Sequence, residues 1–259
     1  MEFENQTVLI TGGGGGIGSA LAKAFAVEGA AVVVADLILE AAHRVAHTLQ
    51  TEGHKALALA GDVSSEEDCR RLVASSVSAF GSLDILVNNA GIGGPVAAIA
   101  DMDCDDWDRT LAVNVTGAML MSREALRVML PQRRGAIVNV ASNVGKRGTP
   151  YRGPYVASKF AMIGLTQTLA LEVATHGIRV NAVCPGPVAG ERIERYITKL
   201  AEVRNISPDV VREEWLRESP MRRMVTAEEV AAVVLFLASS RGSAMTGQAI
   251  NVTAGRVMY

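Results

Sequence analysis

Cysteine is scarce. Cys69, Cys104 and Cys184 are odd in number, widely separated and without a CxxC pair. They form neither a disulfide frame nor a thiolate metal knuckle, and read as small buried hydrophobes of a reducing compartment. Basic runs are missing as well. Lysine and arginine (25) are offset by aspartate and glutamate (27) to a formal net charge of -2, which offers no global field to nucleic acid or an anionic membrane. The longest apolar run, Val230–Ala238, falls far short of the roughly 18 residues of a membrane span. The opening MEFENQTVLI enters an apolar strand without a basic or long hydrophobic segment, so nothing in it reads as a signal peptide. His43 and His47 have the i, i+4 spacing of a metal pair but no third ligand. The acidic DMDCDDWD lacks calcium-loop spacing and reads as a cap for the next helix. These absences leave the expectation of a soluble, cytoplasmic protein with no nucleic-acid, membrane or metal partner.

What the chain has in quantity is glycine, 25 of 259 residues, and apolar side chains, 49%. A chain of this length buries about three quarters of its unfolded surface in one core. Short β-branched runs (TVLIT, AAVVVAD, HKALALA, LDILVNN, GAIVNVAS, GIRVNAV and a last QAINV) alternate with longer amphipathic segments. That alternation implies βαβ units and a doubly wound α/β fold, a Rossmann-like parallel sheet of about seven strands with helices on both faces. No low-complexity linker divides residues 1–259, so one domain is expected. The charged segment at about 187–220 has no β run and is broken at Ser207-Pro208. It is expected to insert a pair of helices as a lid over the site.

Two constellations carry chemistry. The first is TVLITGGGGGIGSALAKAF, a glycine run between a strand and a helix. Such a loop aims backbone N–H groups and a helix N-terminus at a pyrophosphate. Its register is open between Gly13-x-Gly15-x-x-Gly18 and Thr11-Gly12-xxx-Gly16-Ile17-Gly18. Asp36 ends the second strand, where a carboxylate accepts from both ribose hydroxyls and repels a 2′-phosphate. Leu37 follows rather than a basic residue, so NAD is favoured over NADP. The second constellation is Tyr155 and Lys159, four apart on one helix face in PYVASKFAMIGL. A lysine ammonium near a phenol lowers its pKa from about 10 towards neutrality, where general acid–base work is most effective. Ser142 ends the strand AIVNVAS, placed for a hydroxyl to meet a substrate oxygen.

TGGGGGIG, NNAG (Asn88–Gly91), LAVNVTG around Asn114, Ser142, YVASK and Pro185-Gly186 occur in the order found in the classical short-chain dehydrogenase/reductase family. The chain resembles that family from about Thr7 to Val252. The resemblance implies a catalytic set of Asn114, Ser142, Tyr155 and Lys159. Tyr155 is then the general acid–base, and Lys159 lowers its pKa and holds the nicotinamide ribose. Ser142 orients the substrate oxygen, and the backbone carbonyl of Asn114 keeps a water that links Lys159 to solvent. For the cofactor it implies Gly12, Gly16, Ile17 and Gly18 at the pyrophosphate, Asp36 at the ribose, and Asp62 and Val63 at the adenine. Asn89, Ala90 and Gly91 line the adenosine side, and Pro185, Gly186 and Val188 cradle the carboxamide. It also implies a homotetramer packed through the helices that carry Asn114 and Tyr155. Two departures stand out: Thr253-Ala254 where many relatives have Asp-Gly, and Ala189-Gly190 where many have a threonine.

The expected activity is NAD-dependent interconversion of a secondary alcohol and a ketone. The alternative within that class is reduction of a 3-oxoacyl thioester, against which Asp36 counts because that activity more often uses NADP. The alternative outside it is a dinucleotide-sensing module without turnover, against which the intact tetrad counts. Lys146, Arg147 and Arg152, with Arg192, Arg195, Lys199 and Arg204, are not required by this chemistry. They clamp an anionic substrate group, with Arg152 and Arg192 the first candidates, or they are solvated surface paired with neighbours such as Glu191 and Glu194. Trp107 and Trp215 fit core, lid or interface alike.

Overall fold

A computed structural model describes residues 1–259. In chain order its elements are β1 (Thr7–Thr11), α1 (Gly16–Val27), β2 (Ala31–Asp36), α2 (Leu39–Thr51), β3 (Ala56–Ala60), α3 (Glu66–Phe80), β4 (Ile85–Asn88) and α4 (Cys104–Leu111). Then come α5 (Gly117–Gln132), β5 (Gly135–Val140), α6 (Gly153–Val173), β6 (Ile178–Pro185), α7 (Glu191–Arg204), α8 (Pro208–Glu218), α9 (Ala227–Ala238) and β7 (Ala249–Val252). The strands form one parallel sheet in the order β3-β2-β1-β4-β5-β6-β7. No helix is long and apolar enough to cross a membrane.

Side chains of a strand alternate between the two faces of its sheet, and here both faces are apolar. Val8, Ile10, Val32, Val34, Ile85 and Val87 join Leu21, Phe25, Leu49, Val230 and Val234 on the face covered by α1, α2 and α9. Leu9, Val33, Leu86 and Ile137 point the other way, into Leu72, Met121, Met129 and Val173 of α3, α5 and α6. The strand order reverses between β1 and β4, so the connections leaving these two strands diverge and open a crevice at the carboxyl ends. Thr11, Asp36, Asn88, Val140 and Pro185 all end strands on that edge.

Local sequence explains most of the helix boundaries. The Ser65 hydroxyl caps α3 by accepting from the Asp68 N–H, and Thr226 and Glu229 make a reciprocal capping box on α9. Asp103 of the acidic stretch caps α4 by accepting from the Asp105 and Asp106 N–H groups. Ser207 caps α8, with Pro208 in its first turn where a missing N–H is harmless. Helices α7 and α8 close on each other through Ile197, Leu200, Val211 and Trp215, and Val96, Tyr151 and Tyr196 pack against that cluster. Trp215 is thereby anchored in the helical pair.

The Thr253-Ala254 departure is accommodated locally. The Thr253 hydroxyl donates to the Val257 carbonyl at 3.1 Å and accepts from its N–H at 3.3 Å. Ala254 takes the left-handed conformation (φ +52) that glycine would hold without cost. In the glycine loop the demanding position is Gly18, where a Cβ would collide with the Gly12 carbonyl oxygen, whereas a Cβ at Gly15 would meet open space. Gly18→Ala is expected to destabilise the fold by about 2 kcal/mol or more, while Gly15→Ala stays within about 0.5 kcal/mol of the parent. Urea unfolding of the two variants checks the contrast.

Candidate active site

The crevice has two ends, one at the glycine loop, expected to take phosphate, and one at Tyr155 and Lys159, expected to be reactive. At the first, β1 hands over to the glycine loop with Thr11, whose hydroxyl oxygen accepts from the N–H groups of Asn89 and Ala90, each at 3.1 Å. Asn89 returns the contact: its amide donates to the carbonyls of Thr11 at 3.0 Å and Gly12 at 2.9 Å. The loop is therefore braced by β4 rather than merely flexible. Gly12 and Gly16 both have left-handed φ, +61 and +53, and Gly18 is closely packed. These constraints fall on the Gly12, Gly16, Gly18 register. Helix α1 starts with Gly15 as its N-cap and no side-chain cap, so its first N–H groups, including that of Ile17, are left without a side-chain partner.

Asp36 faces this loop. One carboxylate oxygen accepts from the Gly14 N–H at 2.9 Å and the other from the Ile38 N–H at 3.1 Å. Leu37 and Ile38 beside it are exposed, 67% and 58%, so no cation stands next in sequence to the carboxylate. The Gly61 N–H donates to the Asp36 carbonyl at 2.9 Å, which brings Asp62 alongside. Asp62 accepts from the Ser64 N–H and hydroxyl, while its own N–H donates to Asp68. Val63 is buried against α5, where a Cβ at Gly117 would clash with its side chain.

At the reactive end, α6 carries Tyr155, half-buried, and Lys159, buried, in its first turns. The Lys159 ammonium lies 5.6 Å from the Tyr155 ring centroid and donates to the Val140 carbonyl at 2.8 Å. Ser142, just past β5, is buried and accepts from the Val144 N–H at 3.3 Å. The Ser142 hydroxyl lies 3.5 Å from the Pro185 carbonyl, which ties β5 to β6. Gly186 is fixed by donating to the Val252 carbonyl, and Val188 bridges to Val225. A Cβ on Gly91 would meet the Asn114 carboxamide at 3.0 Å and the Lys159 ammonium at 3.8 Å, so this position has to stay small.

Asn114 is the joint between the halves. A π turn spans Ala112–Thr116, an interruption of the regular ladder often found at functional positions. Its side chain accepts from the Ile92 N–H at 2.8 Å and donates to the Ile92 carbonyl and the Ser158 hydroxyl, both at 3.0 Å. Ser158 in turn donates to the Tyr155 carbonyl at 2.7 Å. The asparagine side chain thus locks the start of α6 to the segment after β4. Ser158 and Ile92 escape sequence reading because an i+3 hydroxyl and a loop backbone carry no pattern of their own.

The electrostatics differ from the pairwise picture. Burial pushes the Tyr155 phenol up, but the Lys159 ammonium, then the Arg192 and Arg152 guanidiniums, together with the Ser142 hydroxyl, bring it down to about 8. Lys159 is itself lowered, first by burial and then by repulsion from Arg192 and Arg152, against the opposing pull of Tyr155. Three cations therefore share the work that the spacing assigns to Lys159 alone. Of the rest of the cationic set, Lys199 is exposed and the other four are engaged within the chain. Lys146 donates to the carbonyls of Ala249 and Tyr259, Arg147 pairs with Glu218, Arg195 with Glu191 and Arg204 with Glu214. For these four the contacts match the alternative of surface groups paired with neighbours.

A family model described as Enoyl-(Acyl carrier protein) reductase matches residues 13–256. The chain belongs to the short-chain dehydrogenase/reductase family. Among relatives of this oxidoreductase, sorbitol dehydrogenase of Cereibacter sphaeroides is 38% identical over 259 residues, 100% of each chain. The 2-(S)-hydroxypropyl-CoM dehydrogenase 3 of Xanthobacter autotrophicus is 40% identical over 253 residues, 98% of this chain and 97% of that one. The crystal structure of an NAD+-bound xylitol dehydrogenase matches with a TM-score of 0.96 at 38% identity, covering 98% of this chain and 100% of that one. Membership makes this an oxidoreductase of CH–OH and keto groups.

Replacing the central cation tests the geometry without any substrate. Lys159→Met is expected to raise the Tyr155 titration from about 8. Ultraviolet titration of tyrosinate, with Tyr155→Phe subtracted, reads the shift.

Proposed function

We propose that this protein interconverts a secondary alcohol and a ketone with NAD as hydride carrier, Tyr155 acting as general acid–base. The observation that carries the reading is the Tyr155 ring set 5.6 Å from the buried Lys159 ammonium, beside Ser142 at the carboxyl edge of the sheet, where the surrounding cations bring the phenol down to about 8. Such a group exchanges a proton with substrate near neutral pH.

The residues present fit a dinucleotide. The braced loop with free N–H groups at Gly16, Ile17 and Gly18 suits a pyrophosphate, Asp36 suits an unphosphorylated ribose, and Asp62 and Val63 suit the adenine. Asn89, Ala90 and Gly91 line the adenosine side, and Pro185, Gly186 and Val188 cradle the carboxamide. The cofactor, when bound, supplies or accepts the hydride. In oxidation Tyr155 as phenolate takes the hydroxyl proton, and in reduction the phenol donates it to the carbonyl oxygen. Ser142 donates a hydrogen bond to the same oxygen and holds it near Tyr155. Lys159 stabilises the phenolate electrostatically and contributes a donor to the ribose. Asn114 fixes the helix that carries both, its backbone carbonyl keeping the water that returns protons to solvent.

The reading extends to the whole chain as one cytoplasmic domain, with α7 and α8 as the substrate-side lid. It includes a homotetramer through α5 and α6, whose Met119, Phe160 and Leu171 side chains are exposed apolar surface on one protomer. Tyr155→Phe is expected to abolish turnover of secondary alcohols while NADH still binds, read by NADH fluorescence. Asp36→Asn is expected to cut the preference for NADH over NADPH by about tenfold. Retained turnover in the first variant, or an unchanged preference in the second, contradicts the respective assignment.

A further inference from the structure

The lid and the catalytic helix are joined by a stacked column. The Arg152 guanidinium lies 4.1 Å from the ring centroids of both Tyr155 and Tyr196. Tyr196 stacks on Trp215 at 5.5 Å, and Arg256 covers Trp215 at 5.1 Å. Contact with two rings leaves the N–H edge of the Arg152 cation for hydrogen bonding. That edge has no acceptor in the chain: no carboxylate pairs with it, and its Nε is buried without a partner. The Tyr196 and Thr149 hydroxyls are likewise buried and unpartnered.

Arg192 is the second unspent cation. It stands one turn before Tyr196 on α7, and the i, i+4 spacing puts both on the face that meets Arg152. Its neighbours do not neutralise it. Glu191 pairs with Arg195 and Glu194 with Arg212, while Arg204 and Arg217 on the same helical pair are taken by Glu214 and Glu213. Arg256, at the far end of the column, is taken by Glu218. Arg152, half-buried, is costly to maintain without a counter-ion in the free protein; Arg192 is exposed and free to move, and a planar fork of N–H groups matches the geometry of an oxyanion.

We propose that Arg152 and Arg192 form a recognition site for an anionic oxygen group (carboxylate, sulfonate or phosphate) carried by the substrate. Because Arg152 stacks on the very ring that bears the reactive hydroxyl, the anionic group lies only a few bonds from the reacting oxygen. The substrate class is therefore a short hydroxy acid and its keto partner, or the sulfonate or phosphate equivalent. This deepens the reading of Tyr155 as the acid–base and rests on it. It also assigns the two arginines a second effect, since the same charges that hold the anion lower the phenol. An arriving anion offsets part of that field, so its binding raises the Tyr155 titration.

The test compares matched ketones that differ in charge: acetoacetate and 2-oxopropanesulfonate against methyl acetoacetate and acetone, with dihydroxyacetone phosphate against dihydroxyacetone. Each is titrated calorimetrically into the protein with NADH, using Tyr155→Phe as the non-reacting background, and turnover is followed separately in the parent. At least one anionic ketone is expected to bind about tenfold or more tightly than its neutral partner. Arg152→Gln and Arg192→Gln are each expected to remove most of that preference, whereas Arg195→Gln retains it. Equal binding within about twofold for every pair, or a preference that survives both substitutions, overturns the proposal. An equal loss in Arg195→Gln assigns the effect to general surface charge and also overturns it. Arginine-dependent anion binding without hydride transfer in the parent upholds this site and rejects the oxidoreductase reading of these substrates.

Discussion

A buried ammonium beside a half-buried phenol is the constraint on which the rest of this structure depends. At roughly 5 Å and an effective dielectric of about 20, a positive charge stabilises a phenolate by about 3 kcal/mol, enough to move its titration towards neutrality. The interaction is productive only while both groups stay out of bulk water, and burial works against each of them separately. The fold meets this by giving Lys159 a fixed acceptor, the Val140 carbonyl at the end of β5. The backbone at Tyr155 is anchored through Ser158 and Asn114. Arg152 and Arg192 add further positive charge. The proposed catalytic unit is thus a cluster of three cations around one phenol rather than an isolated pair.

The doubly wound sheet explains why this cluster can meet a dinucleotide. The crevice opens where β1 and β4 send their connections in opposite directions, and the glycine loop and the Asn89 segment occupy its two sides. Asn89 bonds to Thr11 and Gly12, while Asn114 bonds to Ile92 a few residues along the same segment. One stretch after β4 therefore couples the phosphate end to the reactive end. A change there is expected to be felt at both ends, since each takes side-chain hydrogen bonds from this stretch or gives them to it.

Legibility in the sequence followed the reach of each interaction. The parallel sheet is written in short β-branched runs, since both faces of every central strand are buried and must be apolar. The Tyr155–Lys159 pair is visible because its geometry is local, one helical turn. Asp36 is visible because it ends a strand next to a glycine run. The stacked column of Tyr155, Arg152, Tyr196 and Trp215 is not visible, because its members come from three separate segments and meet only when α7 and α8 dock. The same distance effect hid the contact of Lys146 with Tyr259 and the pairing of Arg147 with Glu218, which engage two of the seven expected clamp cations. Ala254 shows a third case: sequence marks the missing glycine, but only φ and the Thr253 bonds to Val257 show how the turn is kept.

The most direct test of the central claim is the pH dependence of alcohol oxidation, measured as kcat/KM from pH 6 to 10.5 in the parent protein. Oxidation needs the phenolate, so the rate should rise with pH and level off through an apparent pKa of about 8. Ketone reduction, which needs the phenol, should fall over the same interval. An inflection near the ordinary tyrosine value of about 10, or no inflection in either direction, would contradict the account of a phenol tuned by its surrounding cations.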